Sequence, residues 1–218
     1  MTTHKIIEQY KEKFKLKFDT FISNKKGFHI TFELGDELEN GSDQRISQAK
    51  FRANKIFESI IPENNLCFFE IYDYPNNFFD RKNEFKNYLN KILNLEIREI
   101  YHGPFEQLYL ETDKNGNEII KIFEDKLECD LVLGIEKISY SKISKIIEGI
   151  VNLEMGKSPI ITQDIYIYDI SENVGFRIYD DRGCHIWSSE KEKLKKIYHN
   201  FTNWVVENEK ELCEKEYE

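Results

Sequence analysis

The chain has 218 residues, is 40% hydrophobic and 14% aromatic, and carries 16 Phe and 12 Tyr, a content that excludes disorder and can fill the core of one folded domain. Its formal net charge of −9 argues against non-specific nucleic-acid binding, which depends on Lys and Arg neutralising phosphates. No run reaches the roughly 20 apolar residues that a membrane helix requires, and the stretch after Met1 lacks the apolar segment of a secretion signal.

Ile6, Ile7, Tyr10, Phe14, Phe18 and Phe21 or Ile22 recur at helical spacing and predict a helix over about 6–22. Its Lys5, Lys11, Lys13, Lys15 and Lys17, interrupted by Glu8 and Glu12, read as a solvated face. Phe28 to Leu34 predicts a strand closed by Gly35. Ser42 or Asp43 then caps a helix that buries Ile46, Ala49, Ala53, Ile56, Phe57 and Ile60 and stops at Pro62. Leu66 to Tyr72 is a nearly continuous apolar run, hence a buried strand, broken at Pro75-Asn76-Asn77. Asp80 caps a helix from Arg81 to Leu93.

Ile97 to Tyr101 and Glu106 to Glu111 predict strands around His102-Gly103-Pro104. Asp113-Lys114-Asn115-Gly116 is the turn of a hairpin that returns from Glu118 to Glu124. Leu127 to Ile135 is a further strand, and Ser139 or Ser141 opens a helix reaching Leu153. Gln163 to Ile170, Val174 to Tyr179 and Cys184 to Ser188 form a three-strand meander. Ser189-Glu190-Lys191-Glu192 is a capping box for the last helix, and the acidic stretch after Val206 is expected to fray.

Short turns between strand pairs and irregularly mixed helices predict an α+β fold: a mainly antiparallel sheet with packed helices, ending in the meander and a C-terminal helix. The expectation is one domain over 1–218, with a subdivision open near 77–80. Cys67, Cys129, Cys184 and Cys213 lie far apart, without a Cys-x-x-Cys pair, and read as reduced thiols of a cytoplasmic protein.

The chain has no phosphate-binding glycine loop, no Gly-x-Ser-x-Gly and no His-Glu-x-x-His. The stretch from Asp113 to Glu124 puts its glycine at the fourth position, where a calcium loop needs it at the sixth, so it reads as a turn. Cys184 and His185 are neighbours on a strand and point to opposite faces, so they cannot form a thiol–imidazole pair. No cofactor and no metal is expected.

Tyr179-Asp180-Asp181-Arg182-Gly183 joins two apolar runs as a tight turn in which Gly183 is free to take a positive φ. Asp180 and Asp181 read as turn formers, Asp180 satisfying backbone amides, with Arg182 projecting or paired with a nearby acid. Glu33 stands on an apolar strand and, if buried, needs a partner such as Arg52 or Arg182. His102 is a loop position, and Trp187 and Trp204 are placed to pack the last helix on the meander. An exposed Trp187 would instead anchor an interface.

Tyr179-Asp180-Asp181-Arg182-Gly183-Cys184, followed by Leu194-Lys195-Lys196-Ile197-Tyr198 and Asn203-Trp204, resembles a bacterial family of unknown function, the domain-of-unknown-function family number 3885. Asp164-Ile165-Tyr166-Ile167-Tyr168, Phe32-Glu33-Leu34-Gly35 and the stretch from Arg52-Ala53 to Ile56-Phe57-Glu58 extend the likeness over most of the chain. Thr31 stands where the resemblance leads one to expect an arginine, and His185 where it leads one to expect an acid. The resemblance implies no reaction, cofactor or catalytic residue.

The residues therefore favour a non-enzymatic interaction protein, of the immunity or antitoxin type, whose acidic surface caps a basic toxin domain. The competing expectation is an enzyme or small-ligand-binding domain with its site built from Glu33, His102 and the Tyr179–Gly183 turn, with Asp180, Asp181 and Arg182 as its groups. Convergence of those side chains in one concave pocket is what separates the two.

Overall fold

The computed structural model describes residues 28–74, 88–95, 97–103, 108–112, 118–122 and 128–218. The predicted helix over 6–22, the break at Pro75, the helix start at Asp80, the turn at Asp113 and the subdivision near 77–80 lie outside them. Seven strands form one antiparallel sheet: β1 (Phe28–Glu33), β2 (Leu66–Asp73), β3 (Ile97–His102), β6 (Asp130–Lys137), β7 (Asp164–Asp169), β8 (Val174–Ile178) and β9 (Gly183–Ser188). Their order across the sheet is β1-β9-β8-β7-β2-β6-β3, and β4 (Leu108–Thr112) pairs with β5 (Glu118–Ile122) as a separate hairpin. The α+β class and the β7-β8-β9 meander follow from the alternating apolar runs, and the meander sits mid-sheet with β1 outside it.

Alternation sorts the two faces. Ile30, Phe32, Cys67, Phe69, Ile71, Ile165, Ile167, Phe176, Ile178, Cys184 and Ile186 face α1 (Asp43–Ile60), α2 (Tyr140–Glu154) and α3 (Lys191–Phe201) in one core. The opposite face carries a second, smaller cluster of Phe68, Leu133, Ile135, Tyr168 and Trp187. Central strand β2 is buried on both faces, which is why Leu66 to Tyr72 lacks polar alternation.

Ser42 caps α1 as its sequence implies, its Oγ accepting the Arg45 amide at 3.1 Å, and the helix ends before Pro62. The capping box expected at Ser189 does not form. α3 begins at Lys191, and its flanking residue Glu190 makes no side-chain cap. Ser188 instead accepts the Glu190 amide and donates to the Asn173 carbonyl, while Ser189 accepts from the Asn173 side chain. The serines tie the end of β9 to the β7–β8 region and are thereby unavailable to the helix.

The expected fray after Val206 is also overturned. A 3-10 turn (Glu207–Glu209) leads into α4 (Lys210–Tyr217), whose Cys213 and Tyr217 are buried. Spaced four apart, they make one apolar face within an acidic run. Tyr217 lies 5.7 Å from the Tyr198 ring and donates to the His29 carbonyl. Among the described residues no helix is long and apolar enough to cross a membrane. All four cysteines are buried free thiols, and burial pushes the Cys184 thiol well above its ordinary value.

Candidate functional site

The β8–β9 turn is closed on itself. The Asp180 carboxylate accepts the Arg182 amide at 2.7 Å and its guanidinium at 2.8 and 2.5 Å. Asp181, almost fully buried, accepts from Arg45 Nε at 2.5 Å. Arg45 also donates to the Gly35 and Leu38 carbonyls, so one guanidinium joins this turn to the loop after β1. The Leu34 amide reaches the Arg182 carbonyl at 2.8 Å. Gly183 is needed for space and not for a positive φ: a Cβ there would stand 2.0 Å from Tyr179 Oη and 2.7 Å from the Phe32 carbonyl oxygen. The turn's carboxylates are spent on the Arg182 amide and guanidinium and on Arg45.

Glu33 ends β1 beside the same turn. The Arg52 guanidinium donates to its carbonyl oxygen at 3.1 Å, not to its carboxylate, and Arg182 is engaged by Asp180. Desolvation first, then the charge and hydrogen bond of Asp36, raise the Glu33 carboxyl above its ordinary range against the pull of Lys210 and Arg52. Arg52 stacks over Trp204, 5.3 Å from the ring centroid, and Phe51 meets that indole edge-on at 6.3 Å. Phe201 stacks on the same indole at 5.0 Å. Phe51 is 56% exposed. Charges of Asp36, Glu37 and Glu33 all act on Arg52. The result is an aromatic surface patch with Arg52 over its indole and the carboxylates of Glu33, Asp36 and Glu37 near that guanidinium.

His102 is far from this region, on β3, the last strand across the sheet, whereas β1 is the first. It is exposed and pairs with Asp130 at 2.9 Å. Trp187 is buried, and it belongs to the smaller cluster and not to the core that includes α3. It faces the side of the sheet away from α1, α2 and α3, 5.0 Å from the Tyr168 ring and 6.3 Å from Tyr166, lying directly over Gly175. Trp204 alone of the two indoles packs near the last helices. The structure thus brings Glu33 and the Tyr179–Gly183 turn together and leaves His102 and Trp187 apart from them.

Sequence reasoning missed a polar row across the face opposite α1, α2 and α3, with Thr31 and Glu70 buried at its two ends. Register aligns Thr31, His185, Arg177, Tyr166 and Glu70 over five adjacent strands. Glu70 accepts the Tyr72 hydroxyl at 2.5 Å and the Tyr168 hydroxyl at 3.3 Å. Arg177 donates to Asp164 at 3.1 Å and lies 4.9 Å over the Tyr166 ring. Burial and the neighbouring Arg177 and His29 push the His185 imidazole down to about 4. The tyrosine enrichment of these strands was the available signal, but only register places Glu70 among the rings. Among the described residues no group of three or more His, Cys, Asp or Glu is arranged to hold a metal ion.

The family model described as Domain of unknown function (DUF3885) matches residues 3–209. The chain is similar to the Uncharacterized protein YnaE of Bacillus subtilis (strain 168), at 22% identity over 219 residues that cover 93% of this chain and 97% of that protein. No solved structure gives a significant match. With a match that includes both β1 and the β8–β9 turn, the chain belongs to the family described as Domain of unknown function (DUF3885).

Proposed function

We propose that the protein is a non-enzymatic interaction protein of the immunity or antitoxin type, acting in the cytoplasm by capping a basic surface of a partner toxin. The observation that carries this reading is the exposed Phe51 beside Trp204, with Arg52 over the same indole and the charges of Glu33, Asp36 and Glu37 acting on that guanidinium. An apolar aromatic centre within a charged rim is how protein interfaces concentrate affinity, and a carboxylate border steers a cationic partner. The dispersal of the groups that could have formed a catalytic set supports it further. Asp180 and Asp181 are each held by an arginine, and His102 stands on the far edge of the sheet.

The test is co-expression of the intact chain with the product of each adjacent gene, scored for rescue of growth and for direct binding by calorimetry. Rescue is expected, and Phe51→Ala should weaken binding at least tenfold, about 1.4 kcal/mol. Absence of any neighbouring product that binds or is neutralised counts against the reading.

A further inference from the structure

The sheet ends at β1 on one side and at β3 on the other. The outside of β1 is taken: Glu209 accepts the Thr31 amide, and the Val206 amide donates to the Thr31 carbonyl. Among the described residues β3 pairs with β6 alone. The two strands run antiparallel through consecutive pairs, from Ile97 opposite Ile135 to His102 opposite Asp130, with no bulge to bend the edge away.

The Gly103 amide fixes which groups of β3 point outward. It donates to the Cys129 carbonyl at 2.9 Å, the next step of the same register. In an antiparallel ladder the N–H and C=O of one residue point to the same neighbour, and the direction alternates along the strand. Positions 103, 101, 99 and 97 therefore spend their backbone groups on β6, while Arg98, Ile100 and His102 aim theirs away from it. Ile100, the middle one of these three, is 43% exposed. His102 is exposed beside it, against Asp130. Such an edge is a template for another strand.

We propose that β3 is a dimerisation edge, taking the β3 of a second copy of this chain in antiparallel register about Ile100, so that one sheet runs through both copies. A two-fold axis normal to the sheet keeps the faces of both copies aligned only when it passes through a residue position, which then meets itself. An axis at Arg98 or Glu99 sets like charges opposite each other, which destabilises a ladder. An axis at Ile100 sets isoleucine against isoleucine and position 98 against position 102, where Asp130 supplies a carboxylate. Of these registers it alone pairs all three outward-facing residues, 98 with 102, 100 with 100 and 102 with 98, each pair exchanging both of its backbone bonds. The contact is smaller than a standard interface, so the dimer is reversible. It shares no residue with the Phe51–Trp204 patch and stands or falls independently of the partner toxin.

The experiment is sedimentation equilibrium of the intact chain from micromolar to millimolar concentration, at physiological salt, where repulsion between two acidic copies is screened beyond about 8 Å. Amide hydrogen exchange of the 15N-labelled chain accompanies it. A reversible monomer–dimer equilibrium is expected. The Ile100 and His102 amides should exchange freely in dilute solution and slow as the dimer fills, while Tyr101, bonded to β6, stays protected throughout. Ile100→Lys sets a like charge on the axis and should weaken self-association by about tenfold or more. Its β3–β6 bonds are untouched, which continued protection of Tyr101 checks. Should the variant not fold, the alternation of protection in the unaltered chain decides alone. A monomer at every concentration, a dimer in which Ile100 and His102 still exchange freely, or undiminished association of Ile100→Lys would overturn the proposal. Protection that appears only on adding the product of an adjacent gene to a chain that stays monomeric would also overturn it, and would give the edge to a foreign strand.

Discussion

Glu209 closes the outer edge of β1 through Thr31. One carboxylate oxygen accepts the Thr31 amide at 3.0 Å and the other its hydroxyl at 2.8 Å. The Val206 amide takes the Thr31 carbonyl at 3.1 Å, and Val205 bridges to Phe32. An edge strand exposes unpaired backbone groups that invite pairing with other chains, and here the chain's own C-terminal segment occupies them. The position at which the family resemblance leads one to expect an arginine is thus still met by an acid, with a hydroxyl in the cation's place.

Glu209→Ala should cost about 2–3 kcal/mol, since both lost bonds are to a charged acceptor and Thr31 is buried. It should also release the segment after Val206 to limited proteolysis. Glu209→Gln retains one acceptor and should lose less. Urea denaturation and protease mapping check both. A protected C-terminus in Glu209→Ala would mean that Cys213 and Tyr217 dock α4 unaided.

The same hydroxyl orders His185. Thr31 has one hydroxyl proton and gives it to Glu209, so the contact of 3.0 Å between Thr31 Oγ1 and His185 Nδ1 requires the imidazole to donate from Nδ1. The imidazole is neutral in the fold, its value lowered from 6.5 to about 4, by burial first and then by Arg177 and His29. The unfolded chain takes a proton below about pH 6.5 that the folded chain refuses until about pH 4. Stability therefore falls as pH drops through that window, by about 3 kcal/mol in all, and this contribution is flat above it. Denaturation of the unaltered chain and of His185→Gln from pH 7.5 to 4.5 should give a stability difference that changes with pH in this sense. A difference independent of pH, or a His185 NMR titration near 6.5, refutes the assignment.

Much of the fold was legible because β1, β2 and the meander alternate or saturate in apolar residues over lengths that only strands explain. α1 was legible from Ser42 and its inward stripe. The end of the chain was not, because its charge density hides a two-residue apolar face whose partners, Tyr198 and His29, are distant in sequence. Likewise Ser189 carries the capping signature, but Asn173, a tertiary neighbour, claims its hydroxyl. Of the candidate site, the Asp180–Arg182 turn was read locally, since its bonds are local. The Arg45–Asp181 bond and the Phe51–Trp204 contact exist only through strand order and packing, which residue spacing does not encode.

Gly175 and Trp187 stand opposite each other in the β8–β9 register, and the indole fills the space that a side chain at 175 would need. A Cβ on Gly175 would lie 2.0 Å from Trp187 Cε2 and 2.1 Å from Cζ2. The ring has no room to retreat, with Tyr168 and Tyr166 against it. Gly175→Ala should destabilise by about 3 kcal/mol, at the upper end of overpacking costs, and shift the Trp187 fluorescence. Trp187→Leu creates a void of its own, yet the double variant should be more stable than the sum of the two single losses by about 1 kcal/mol or more. Additive losses would show that the two positions do not compete for one volume.

Glu33 gives the proposed interface a proton signature. Its carboxyl is raised above 4.5, by desolvation first and then by the charge and hydrogen bond of Asp36. Just above pH 4.5 the folded chain therefore holds more proton at this position than the unfolded chain does, and folding loses a little stability as pH rises through that window. A cationic partner arriving at Glu33, Asp36 and Glu37 favours the ionised form and expels that proton. Calorimetry at pH 5 in two buffers of different ionisation enthalpy should therefore report proton release when the neutralised toxin, or deca-lysine as a surrogate, binds. The release should shrink as the pH is raised, because the free carboxyl then ionises more completely before the partner arrives. Glu33→Gln should abolish the release at pH 5. Binding at pH 5 without buffer dependence, or with a release that survives Glu33→Gln, would place the partner's cations elsewhere on the surface.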